Sequence, residues 1–83
     1  MITLELAVIH DTRSGKYVPK IRRGRQSYNG RMCGSVVSAE RDLEEFVGAM
    51  AIGWTHPLEG TIPGRGLVEG SVRSWAVIKL ELL

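Results

Sequence analysis

A chain of 83 residues holds one small domain, and at 43% hydrophobic and 24% charged it has the composition of a folded soluble domain rather than a disordered tail. A domain this small buries about 60–65% of the surface its unfolded chain exposes, so a thin core is expected, with little room for an elaborate active-site cavity. The formal net charge is +2, and the single cysteine, Cys33, excludes an intrachain disulfide and a cysteine-built zinc site within one chain.

The first predicted element is a strand. In "ITLELAVI", Ile2, Leu4, Leu6 and Val8 alternate with Thr3, Glu5, Ala7 and Ile9, the period of a strand with one buried face. The opening "MITLELAVIHD" has no basic stretch and carries Glu5 inside its apolar run, which argues against a signal peptide, and no run reaches membrane-spanning length. A cytoplasmic protein with no membrane partner is expected. "HDTRSGK" supplies turn-forming Asp, Ser and Gly, and "YVPKI" resumes a strand in which Pro19, lacking an N–H, favours an edge or a bulge.

The next stretch, "RRGRQSYNGR", holds four arginines and one tyrosine without an aliphatic side chain. Asn29-Gly30 is the preferred pair for a type I′ hairpin. That turn would set Tyr28 opposite Arg31, Gln26 opposite Cys33, Gly24 opposite Ser35 and Arg22 opposite Val37. One face would carry Tyr28, Gln26, Arg22 and Arg31; the other would carry Ser27, Arg25, Arg23 and Met32. The outer part of this hairpin has nothing apolar to bury, so a projecting basic arm is predicted. Residues 12–38 hold Arg13, Lys16, Lys20, Arg22, Arg23, Arg25 and Arg31 with no acid, while acids outnumber bases in the remainder, so the molecule should be electrically two-sided.

Ser38 reads as the N-cap of a helix with Glu40 and Asp42 in the positive end of its dipole. Ala39, Leu43, Phe46, Val47, Met50 and Trp54 form its apolar stripe, with Phe46 at the middle, and Gly53 is the expected stop. Ile52 falls opposite that stripe. "HPLEGTIPGRGLVEGS" reads as a loop, with a short strand possible at Gly66 to Glu69. A last strand from Val72 to Leu82 sets Val72, Ser74, Ala76, Ile78, Leu80 and Leu82 against Arg73, Trp75, Val77, Lys79 and Glu81. The order β-β-β-α-β predicts an α+β fold in one domain: a small antiparallel sheet with one helix on a face.

Catalytic constellations are poor. His10-Asp11 could be written as a base and its orienting acid, but a turn-former is the favoured reading. His56 precedes Pro57 in a loop, two histidines and one cysteine lack metal-ligand spacing, and Cys33 reads as a packing residue. "GTIPGRG" lacks the Gly-Lys-Ser/Thr of a phosphate-binding loop. No enzyme, metal or cofactor is expected. The candidate binding residues are Arg22, Arg23, Arg25, Tyr28 and Arg31, suited to phosphates and stacked bases or to carboxylates on a protein; a secondary acidic face comprises Glu40, Glu44 and Glu45.

Two resemblances accompany this reading. "VIHDTRSGKYVPKI" with "GSVVSAERDLEEFVGAM" resembles the hairpin, acidic helix and strand of HicB-type antitoxin domains, which neutralise an RNA-cleaving toxin. In size and hairpin-plus-helix layout the chain is also similar to the anti-CRISPR proteins of phages. The second resemblance implies a non-enzymatic inhibitor that occupies the surface of a bacterial CRISPR complex. The first implies a nucleic-acid-binding or antitoxin-like regulator.

Overall fold

The computed structural model describes residues 2–48, 52–56 and 70–80. Strands β1 (Ile2–Asp11), β2 (Tyr17–Arg23), β3 (Gln26–Asn29) and β4 (Gly70–Leu80) form one antiparallel sheet in the order β3-β2-β1-β4, and helix α1 (Val36–Val47) lies between β3 and β4 in sequence. This is the expected β-β-β-α-β arrangement. α1 packs over β2 and β1.

Alternation in β1 decides which face is buried. Leu6 and Val8 are enclosed, with Ile21 and Pro19 opposite them on β2 and Ala76 and Ser74 opposite them on β4. Ala39 and Leu43 of α1 close over this row, and Leu4, Tyr17, Val36, Val47 and Ile78 pack around it. The β1–β4 register shifts between Val8 and Ile9, leaving Arg73 as the extra residue.

The first turn is held by Asp11. Its carboxylate accepts from the Ser14 hydroxyl at 2.7 Å and from the N–H groups of Arg13 and Ser14, both at 3.3 Å. These bonds, the Ser14 hydroxyl foremost, hold its carboxyl below the usual carboxylate range. His10 instead stacks on Tyr17, with ring centroids 4.8 Å apart. The pair works as a turn, with the acid bonded to backbone and Ser14.

The second turn is not at Asn29-Gly30. β2 and β3 meet through Gly24-Arg25, with Arg23 opposite Gln26, Arg22 opposite Ser27, Ile21 opposite Tyr28 and Lys20 opposite Asn29. Gly24 has φ of 60° and no non-glycine residue has positive φ among those described, the glycine-first pattern of a type II′ loop. Gly30 serves another purpose: a Cβ there would lie 2.8 Å from the Pro19 ring, so the strand passes close only without a side chain. β2 is an interior strand, so Pro19 does not sit at an edge. The ladder is irregular beside it, with three residue steps from Lys20 to Tyr17 facing four from Asn29 to Cys33.

The helix also starts and stops earlier than expected. Ser35, not Ser38, is the N-cap, its hydroxyl accepting the Ser38 N–H at 3.1 Å, so Glu40 and Asp42 fall beyond the first turn. Gly48, with φ of 70°, ends the helix with its N–H on the carbonyls of Glu44 and Glu45. Gly53 is therefore not the stop. Phe46 is 77% exposed: the buried line runs through Ala39 and Leu43, and Phe46 hangs over its β3 flank. Ile52 and Trp54 return to the core from outside the helix. Met50, residues 57–69, where a loop and a short strand at Gly66 to Glu69 are expected, and Glu81 and Leu82 at the end of the expected last strand lie outside the described residues.

Ser74 breaks the polarity of the core. It is fully buried and its hydroxyl has no hydrogen-bond partner among the described residues. Ser74→Ala should therefore raise stability by about 1 kcal/mol, since it removes an unpaired buried hydroxyl and leaves a small void. Urea denaturation of the two proteins checks this, and a loss of stability would show that the hydroxyl is satisfied.

Candidate functional site

The five proposed binding residues divide by the parity of the β2–β3 hairpin. Side chains opposite one another share a face, so Arg23 and Gln26 lie with Ile21 and Tyr28 on the helix side, while Arg22 lies on the far side with Ser27. Arg22 is thus separated from Tyr28, contrary to the arrangement expected from an Asn29-Gly30 turn. It forms an ion pair with Glu5, the residue directly opposite it on β1. That pair is half-exposed and ties β2 to β1.

Arg23, Arg25 and Arg31 are exposed, and no described carboxylate lies within ion-pair distance of them. Tyr28 is 55% exposed, with its hydroxyl donating to Gln26 Oε1 at 3.0 Å. All four residues of β3 are exposed, and β3 forms one edge of the sheet. These residues form the outer strand of the sheet and its turn, and a projecting arm is not confirmed.

Between β3 and α1 runs a groove of about 530 Å³. Pro19, Ile21 and Leu43 contribute apolar surface, Tyr28 and Phe46 are exposed aromatics at its sides, Arg31 stands on the strand side, and Asp42 and Glu45 stand on the helix side. Phe46 belongs to this surface rather than to the core. The sequence carried a signal for it: Phe46 is three residues past Leu43 and one before Val47, on the shoulder of the apolar stripe.

Cys33 is buried, its thiol 3.3 Å from both Asp42 Oδ2 and the Arg31 carbonyl, either of which can accept its hydrogen bond. Burial pushes this thiol up, and the adjacent Asp42 carboxylate adds to the effect through its hydrogen bond and its charge. The thiolate that a nucleophile needs is disfavoured here.

The acidic trio does not form one face. Glu44 Oε1 accepts the Trp54 indole N–H at 3.0 Å, and Glu40 Oε2 meets His56 Nε2 at 2.9 Å, so both hold the 52–56 segment. Glu45 is exposed and lines the groove on another side of α1. Among the described residues, no group of three or more side chains is arranged to hold a metal ion, and no helix is long and apolar enough to cross a membrane. No family model, curated protein or solved structure matches this chain.

Proposed function

We propose that this chain is a non-catalytic binding protein that engages an acidic surface of a partner protein through Arg23, Arg25, Arg31 and Tyr28. Following its resemblance to anti-CRISPR proteins, the partner is a bacterial CRISPR complex whose surface it blocks. The observation that supports a recognition role is that the three exposed arginines flanking β3, Arg23 and Arg25 at its turn and Arg31 past its other end, have no described carboxylate within ion-pair distance, while Arg22 has one. Guanidiniums so placed offer bidentate donors to carboxylates, and Tyr28 offers a rigid aromatic anchor.

A protein partner is preferred over nucleic acid because the groove beside the arginines presents Asp42 and Glu45, which repel a phosphodiester backbone, and an apolar floor that suits a side chain. Titration against purified CRISPR effector complexes at two salt concentrations tests the proposal. Arg23→Ala with Arg25→Ala should weaken binding at least about tenfold while leaving the fold intact. Unchanged affinity in the folded double variant would overturn this reading. A steep loss of affinity with salt, retained for free single-stranded nucleic acid, would favour the nucleic-acid-binding, antitoxin-like alternative.

A further inference from the structure

We infer that the outer edge of β3, with the groove beside it, binds an extended acidic peptide segment as a fifth strand of the sheet. The inference deepens the reading above and rests on it. It starts from one hydrogen bond: the Gly30 N–H donates to the Pro19 carbonyl at 2.7 Å, which makes Pro19 and Gly30 a hydrogen-bonded pair. Such pairs alternate along an antiparallel ladder, so Ile21 with Tyr28 and Arg23 with Gln26 are the bonded pairs that follow. The backbone N–H and C=O groups of Ser27 and Asn29 consequently point away from β2, toward the open edge. β3 is an edge strand with every residue exposed, and these groups form a template for one more strand.

The β4 side differs. There Thr55 and Trp75 exchange two backbone bonds, of 2.8 and 3.0 Å, so that edge is engaged at its middle.

Side chains and charge select the occupant. A strand laid along β3 directs alternate side chains to the helix side, next to Tyr28 and Phe46, where apolar residues would cover exposed aromatic surface. Arg23 and Arg25 stand at one end of β3 and Arg31 beyond the other, which favours acidic residues toward the ends of the peptide and on its face away from α1, clear of Asp42 and Glu45, with apolar residues on the face toward the groove. The same charges oppose a second copy. Pairing β3 with its own symmetry mate brings Arg25 of each copy beside Arg31 of the other, a like-charge contact.

The experiment uses the full chain and a short synthetic peptide of alternating glutamate and valine, with a lysine and valine peptide as its counterpart. The glutamate peptide should bind and the lysine peptide should not, and the amide protons of Ser27 and Asn29 should exchange more slowly in the complex. Ser27→Pro removes an outward N–H without touching the ladder to β2, so it should keep the fold and weaken peptide binding at least about tenfold. Ser27→Ala should bind like the parent. The exchange measurement needs no variant and decides the matter if Ser27→Pro does not fold. Failure of the glutamate peptide to bind, equal binding of the lysine peptide, unprotected Ser27 and Asn29 amides, or full binding by folded Ser27→Pro would each overturn the proposal. So would a dimer in sedimentation that Ser27→Pro abolishes, because the edge would then belong to a second copy. If the arginine double variant loses its partner while folded Ser27→Pro keeps it, the added strand alone is wrong; if the arginine variant has no effect, the underlying reading falls.

Discussion

Leu6→Ala should cost about 2–5 kcal/mol, enough to unfold a large share of a domain this small. Leu6 is 1% exposed and sits at the crossing of the two ladders, with Ile21 on one side and Ala76 on the other. Truncation there removes the transfer energy of three carbons and leaves a cavity that neither neighbouring strand can close without breaking its register. Phe46→Ala is the informative contrast. Phe46 is the larger side chain and is expected from the sequence at the middle of the buried stripe, yet it is 77% exposed. Its loss should shift stability by no more than about 0.5 kcal/mol. Urea denaturation of both variants, followed by circular dichroism, checks the pair. A Phe46→Ala cost matching that of Leu6→Ala would mean that the helix is rotated about its axis relative to this structure.

That contrast marks where the sequence was legible. Strict alternation in β1 and β4 has one solution once a face is buried, so both strands and their inward residues could be read directly. The Asp11 turn was equally readable, because Asp, Ser and Gly each act locally there. The second hairpin was not. Asn29-Gly30 and Gly24-Arg25 are both plausible two-residue loops, and local preference ranks the first higher. A turn at Asn29-Gly30 would have drawn Ser35 and Val37 into a strand. Ser35 is instead the cap that starts α1, and Gly30 is the small residue that lets β3 pass the Pro19 ring. The arginines were visible as a cluster, but their separation was not. A shift of turn position reassigns every pairing, and it placed Arg22 opposite Ser27 and away from Tyr28. The end of α1 shows the same competition, since Gly48 adopts the left-handed conformation before the apolar stripe runs out.

Trp54→Ala should cost about 2–4 kcal/mol, although Trp54 is only half-buried and lies outside any regular element. The reason is the position of the 52–56 segment. α1 packs on β2 and β1, and this segment links its other flank to β4. Trp54 packs against the core and donates its indole N–H to Glu44, Thr55 pairs with Trp75 on β4, and His56 meets Glu40 one turn before Glu44. Removing the indole takes away the apolar body of this strap and leaves the Glu44 carboxylate without its donor. Trp54→Phe separates the two contributions: it keeps most of the packing and loses only the N–H, so about 1–2 kcal/mol of the effect should remain. The consequence reaches the groove. Leu43, Glu45 and Phe46 line it from the same helix that the strap holds down, so amide resonances of Glu45 and Phe46 as well as Leu43 should broaden or shift in Trp54→Ala. Trp54→Ala with parental stability and an unchanged spectrum at Leu43 and Phe46 would show that α1 is positioned by the sheet alone and that the strap plays no part in shaping the binding surface.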